Sequence, residues 1–237
     1  MTVLVLFDID GTMLLAHGAG RRSVHQAMLD VFGATGPQSH PFDGKTDPQI
    51  VRELGTMAGI ADDVIHEKME VALDRYYGYL EADITGAPHT VELLPGVHDL
   101  LDALDLREDV MLGLLTGNIE AGATLKLRAV DIEPERFVVG AYGSDAASRP
   151  ALPAIAQRRA TALLGDPMPG SRIVIIGDTP HDLTCGREIG ARAIGVETGR
   201  FRAADLQPYA PLAVFADLTD TERVVSTITS VLSEHAA

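Results

Sequence analysis

Short apolar runs recur along the chain, each closed by a polar or glycine-bearing step, with apolar residues at helical spacing between them. The first run is Val3-Leu4-Val5-Leu6-Phe7, followed at once by Asp8-Ile9-Asp10-Gly11-Thr12. Residues 110–115, 137–139, 172–177, 193–196 and 213–215 repeat the pattern. Continuous Val, Leu and Ile runs without alternation predict strands buried on both faces, as in a parallel sheet. Helices are expected over residues 21–32, 49–57, 62–80, 97–104, 150–164 and 221–233, with two more after residues 118 and 182, reaching about 130 and 189. Strands alternating with helices give an α/β fold, a doubly wound parallel sheet covered on both faces. The helices of residues 16–87 precede the second strand, so they form an inserted helical cap on a core of residues 1–15 and 88–237.

Within the cap, Asp47 is placed to cap a helix whose first position is Pro48. Residues 82–89, with Gly86 and Pro88, form the expected return linker. His25 is expected to be a surface or half-buried residue of its helix and not a ligand. Tyr76, Tyr77 and Tyr79 are expected to pack within the bundle, with ligand stacking a secondary role.

The chain has 237 residues, enough for a sizeable core with an inserted cap. A formal net charge of −15 argues against nucleic acid or an anionic membrane as partner. It also means that any phosphate site must create its own local positive field. The single cysteine, Cys185, excludes an intrachain disulfide, suits a reducing cytoplasm and is expected to be a small packing residue. The N-terminus lacks a basic stretch and meets an aspartate after a few apolar residues, so neither a signal peptide nor a membrane span is expected. A monomer or homodimer is the expected state.

The candidate chemistry sits at three strand ends, where ligands bind in open α/β sheets. Asp8 and Asp10, two residues apart, reach one side of the first strand's end. Carboxylates this close repel unless a cation or shared proton relieves them, and a hard dication with oxygen ligands, most simply Mg2+, suits the pair. The competing account is an acidic turn after a core strand. Thr116-Gly117-Asn118 ends the second strand: Thr116 can donate its hydroxyl to a phosphate oxygen, and the Gly117 and Asn118 amides stand at a helix start, a natural anion site. Asn118 reads first as a helix N-cap and second as a substrate contact. Asp178 and Asp182 follow the fourth strand.

In order and residue type, Asp8-Ile9-Asp10-Gly11-Thr12, Thr116-Gly117-Asn118 and Asp178 with Asp182 resemble motifs one, two and four of the haloacid-dehalogenase-like (HAD) superfamily. The early helical insert is similar to its C1 cap. The resemblance implies a HAD-like Rossmannoid core, with Asp8 as nucleophile forming an aspartyl-phosphate and Asp10 as general acid and base. It implies magnesium held by Asp8, the Asp10 backbone carbonyl and Asp178, with Asp182 as a ligand through water or an orienting acceptor. The third motif departs from the family, whose usual lysine is replaced by Arg149 in Ser148-Arg149-Pro150. Of three lysines, Lys45, Lys68 and Lys126, the last lies about two turns into its helix and is not expected to reach the sheet edge. Arg149 is therefore the candidate cation against Asp8 and the phosphate.

Asp43-Gly44-Lys45-Thr46-Asp47 is similar to the cap loop of phosphoglycolate phosphatase-like proteins, which implies that Lys45 touches the non-reacting end of a small anionic, phosphorylated metabolite. Phosphonoacetaldehyde hydrolase-like chemistry with Lys45 as Schiff base, β-phosphoglucomutase-like transfer, and a non-catalytic HAD scaffold are the alternatives.

Overall fold

Strand β1 (Val3–Phe7), buried at every position, takes the middle of the sheet because both of its neighbours are themselves apolar runs. The computed structural model describes residues 1–86 and 91–233. β1 pairs in parallel with β4 (Val110–Leu115) on one side and β6 (Ile173–Gly177) on the other. β5 (Val139–Ala141) extends the β4 side, and β7 (Arg192–Val196) and β8 (Ala213–Phe215) extend the β6 side. The order β5-β4-β1-β6-β7-β8 therefore puts the ends of three chemically loaded strands side by side.

Strand alternation sorts the core. Val3, Val5 and Phe7 pack with Leu100 and Leu104 of α4 (Val97–Asp105) and with Ile228 and Val231 of α9 (Thr221–Ser233). Leu4 and Leu6 face the opposite way, onto Leu152 and Ala156 of α6 (Leu152–Leu164). A sheet covered on both faces leaves its carboxyl edge as the place where polar groups can gather.

The cap consists of α1 (Ala19–Phe32), α2 (Asp47–Met57) and α3 (Asp62–Gly86), joined through Val24, Met28, Leu54, Ala72, Tyr76 and Leu80. A two-residue ribbon, β2 (Leu14–Leu15) against β3 (Glu92–Leu93), ties the chain's exit from the core to its return. Strands this short have no periodicity, so the sequence does not announce them.

Several expected boundaries move. Residues 82–86 continue α3 instead of forming a linker, while 87–89 lie outside the described residues. The third strand begins at Val139, not 137, because Phe137 closes a 3-10 turn by donating its N–H to Pro134 O and then packs edge-on against Phe7. Thr46, not Asp47, caps α2, its Oγ1 accepting from Gln49 N–H at 3.2 Å. His25 is buried, bonded to Thr35 Oγ1 and stacked beside Phe42, rather than at the surface or half-buried. Cys185 is buried, and burial pushes its thiol up to about 12, which suits packing and not nucleophilic attack. No described helix is long and apolar enough to cross a membrane.

Candidate active site

β1 breaks at Asp8 because the next turn folds back on Ile9, whose carbonyl accepts the N–H groups of Thr12 and Met13. That turn needs Gly11 in the left-handed region, at φ 83°, and a Cβ there would come within 2.6 Å of an Asp178 oxygen. A Cβ at Gly199 would come within 1.8 Å of the same carboxylate, so two glycines cradle Asp178. Thr12 Oγ1 donates to Asp178 Oδ1 at 3.2 Å.

Asp8, Asp178 and Asp182 each offer a carboxylate oxygen within 4.8 Å of the others, and all three are buried. Burial pushes the Asp8 carboxyl up to about 7, with Asp182 and Asp10 adding to the rise and Arg149 opposing it. Burial also raises Asp178 well above the usual range, reinforced by Asp182 and Asp8. Three buried acids face one arginine. A dication would relieve the excess, and this hard oxygen set suits Mg2+.

Arg149 comes from the 3-10 turn before α6 and is almost fully buried. One nitrogen lies 3.2 Å from Asp8 Oδ1 and also bonds Asp182 Oδ1. Burial works against its charge, but Asp182 and Asp8 outweigh burial and raise its affinity for the proton. Its Nε has no hydrogen-bond partner, an orphaned buried donor on a residue that lines the cavity.

Asp182 spends its other oxygen on Thr179, accepting from the backbone N–H at 3.0 Å and from Oγ1 at 2.7 Å in the capping box of α7 (Pro180–Cys185). Both oxygens thus have protein partners, and Asp182 holds Arg149 in place.

The second strand end differs from expectation. Asn118 is not a cap: Ile119 holds that position ahead of α5 (Glu120–Arg128). Asn118 Nδ2 instead donates to Asp10 Oδ2 at 2.7 Å and to Thr116 Oγ1 at 2.8 Å. The Ile119 amide at the helix start is taken by Asp47 Oδ2, 2.8 Å away, so the cap supplies an anion there.

Lys126 reaches the site, against expectation. Its Nζ lies 2.8 and 2.7 Å from the two Asp10 oxygens and 2.7 Å from Asn118 Oδ1. Helical side chains lean toward the N-terminus, and the four-carbon stem covers the rest of the distance. The overlooked signal is position: Lys126 shares the buried face of α5 with Gly122, Ala123 and Leu127.

Lys45 lines the cavity, but its Nζ bonds Glu53 Oε2 at 2.6 Å and His40 Nε2 at 3.1 Å, back within the cap. Such a lysine is not presented to a substrate carbonyl as a Schiff-base amine must be. Gly117 meets the cap loop directly: its carbonyl accepts the Asp47 N–H at 2.8 Å, and a Cβ would sit 1.9 Å from Lys45 O. Thr46 Oγ1 donates to Ala147 O at 2.6 Å, stitching the same loop to the loop before Arg149.

Between cap and core lies a cavity of about 560 Å³. Asp8, Asp10, Thr116, Gly117, Asn118, Lys126, Arg149 and Asp178 line its core side. Asp182, fully buried, stands behind this wall. Asp47 and Tyr76, read from sequence as helix cap and bundle residue, line its cap side.

A family model described as HAD-hydrolase-like matches residues 149–221. No curated protein matches the sequence. Solved structures share the architecture over nearly the whole chain. A hydrolase from Pseudomonas syringae is 21% identical, with TM-score 0.68, covering 95% of this chain and 98% of its own. A predicted phosphoglycolate phosphatase from Haemophilus somnus is 19% identical, with TM-score 0.69 and coverage of 94% and 98%. CbbY from Rhodobacter sphaeroides, solved in complex with phosphate, is 20% identical, with TM-score 0.63 and coverage of 93% and 96%.

Proposed function

We propose that the chain, which shares the fold of solved haloacid dehalogenase-like hydrolases and matches a HAD-hydrolase-like family model over residues 149–221, is a magnesium-dependent phosphatase of small phosphorylated metabolites. The observation that carries this reading is the Asp8–Arg149 pair on the cavity wall at the end of the central strand, beside the buried Asp178 and Asp182. A carboxylate held against an arginine in a cavity is arranged to receive a phosphoryl group and not merely to end a strand.

Asp8, Asp178 and the backbone carbonyl of Asp10 would hold Mg2+, which when bound offsets the negative charge of the phosphoryl group and of the acids around it. Asp8 attacks phosphorus, forming the Oδ–P bond as the bond from phosphorus to the leaving oxygen breaks. Asp10 gives its proton to that oxygen and later takes one from the water that hydrolyses the aspartyl-phosphate. Arg149, Thr116 Oγ1 and the Gly117 N–H hold the equatorial phosphoryl oxygens. Lys126 and Asn118 fix the Asp10 carboxylate. The cap loop 43–47 excludes bulk water above it. The proposal is of a cytoplasmic enzyme whose fold is shared with a predicted phosphoglycolate phosphatase.

The test is release of inorganic phosphate from p-nitrophenyl phosphate, with magnesium and with EDTA, by the parent and by Asp8→Asn. Magnesium-dependent release by the parent alone supports the reading, as does acid-stable label on Asp8 from a radioactive phosphate ester. Undiminished turnover by Asp8→Asn removes the nucleophile assignment.

A further inference from the structure

The cavity's cap side suits a flat, partly apolar leaving group. Most cations on the cavity wall are already paired with an acid. Lys45 is bonded to Glu53, Lys126 to Asp10, and Arg149 to Asp8 and Asp182. Arg200 at the rim faces Asp43 across 3.5 Å.

Arg21 alone among the lining cations is held otherwise. Its guanidinium carbon lies 3.9 Å over the Phe42 ring, and its NH1 donates to the carbonyls of Gln38 at 2.7 Å and His40 at 2.8 Å. Phe42 in turn has His25 stacked beside it at 6.0 Å. The result is a fixed, flat, layered surface on the cavity wall, pinned by two backbone groups.

Size and polarity agree with this. A volume of about 560 Å³ lies in the range of pockets for drug-sized ligands. Leu15, Val24 and Ile50 add apolar wall around the Arg21–Phe42 layer, where a small acid would leave apolar surface against water. On the same side Asp47 and Tyr76 bond each other, and Asp47 also accepts the Ile119 N–H, so they form a polar but already paired part of the wall.

Building on the phosphatase reading, we propose that the preferred substrate is a phosphate monoester of a neutral alcohol carrying a flat heteroaromatic ring, a nucleoside-type leaving group. The ring lies along the Arg21–Phe42 layer, with Leu15, Val24 and Ile50 around it. Guanidinium planes take π faces well, and such contacts tolerate many ring types.

The test compares kcat/KM for adenosine 5′-monophosphate, ribose 5-phosphate, 2-phosphoglycolate and p-nitrophenyl phosphate, using the full chain with magnesium. Ribose 5-phosphate keeps the ester and loses the base, so it isolates the ring. The nucleotide is expected to exceed ribose 5-phosphate and 2-phosphoglycolate by about tenfold or more, the scale of one base stacked on a side chain. Phe42→Ala is expected to raise KM for the nucleotide more than for ribose 5-phosphate; Ile50→Ala serves if the first variant does not fold. Preference for 2-phosphoglycolate, or equal use of nucleotide and ribose ester, overturns the ring site while the phosphatase reading stands. Silence on all four esters overturns both.

Discussion

Lys126 Nζ grips both carboxylate oxygens of Asp10, at 2.8 and 2.7 Å, across 116 residues of sequence. The lysine is almost entirely buried, whereas the Asp10 side chain is 42% exposed toward the cavity. The pair is thus anchored at its lysine end and open at its aspartate end. Asn118 completes a triangle by bonding both partners.

Replacing Lys126 by Met keeps the stem and removes the anchor. The expected outcome is a fall in kcat of about 10–10²-fold with KM little changed, the usual scale for a misplaced reacting group. Steady-state kinetics on p-nitrophenyl phosphate check it. A change in KM alone would mean that Lys126 meets the substrate instead of holding Asp10.

The Asp8–Arg149–Asp182 chain is buried throughout, so breaking it leaves charges without water. Arg149→Met is expected to cost about 3–5 kcal/mol of stability and most of the activity. Arg149→Lys should cost less stability but still lower kcat, because a compact ammonium spent on Asp8 and Asp182 has no second nitrogen to offer a phosphoryl oxygen. Urea denaturation and phosphate release measured on both variants decide the matter. Parent-like stability and turnover in Arg149→Lys would show that the fork is irrelevant.

Much of this arrangement is legible in the sequence, and the exceptions have physical causes. Runs such as Val3–Phe7 and Ile173–Gly177 announce buried parallel strands because only a doubly covered sheet hides such residues. The sheet then brings Asp8, Thr116 and Asp178 to one edge whatever the intervening loops do. Lys126 and Asp47 escaped because their partners are not local. Lys126 reads as a helix cation two turns from the sheet edge, and Asp47 as the cap of the helix that Pro48 opens. Both instead serve contacts between layers, which no local pattern encodes. Asn118 follows the same rule: a polar residue ahead of a helix has a local use as a cap, and here a distant partner, Asp10, wins.

Asp47 also carries a pH signature. Burial pushes its carboxyl up to about 6, against the pull of Lys126 and the Ile119 N–H, with Asp10 adding to the rise. The proton is therefore held more tightly in the folded chain than in the unfolded one, where the carboxyl titrates near 3.8. Its favourable contribution is complete below about pH 4 and is lost as pH rises to about 6, a swing of about 3 kcal/mol. Asp47→Asn removes the titration and retains an oxygen for the Ile119 amide. Its stability relative to the parent should therefore climb between pH 4 and 6 and stay level above. Urea midpoints of both proteins across that window check this; a constant difference would place the Asp47 proton affinity at its ordinary value.

Gly117 is where cap and core touch most closely, and its lack of a side chain is what allows the contact. A methyl group there would stand 1.9 Å from Lys45 O and 3.1 Å from Thr46 Cα, so the loop must lift. Lifting it endangers the Asp47 N–H bond to Gly117 O, the Ile119 N–H bond to Asp47 and the Thr46 bond to Ala147. None of these bonds lies in the sheet, so displacement of the cap loop relieves the clash with little strain in the core. Gly117→Ala is expected to lower kcat/KM by about 10²-fold, because reacting groups misplaced by an ångström lose that much. The same variant should expose the segment around residue 44 to limited proteolysis. Gly78→Ala is the matched control: it lies in α3 with nothing within 4 Å of the added carbon. That change should raise stability by up to about 1 kcal/mol through helix propensity, with kinetics untouched. If Gly117→Ala retained full activity and resisted protease like the parent, contact between the loop and Gly117 would have no part in closing the site.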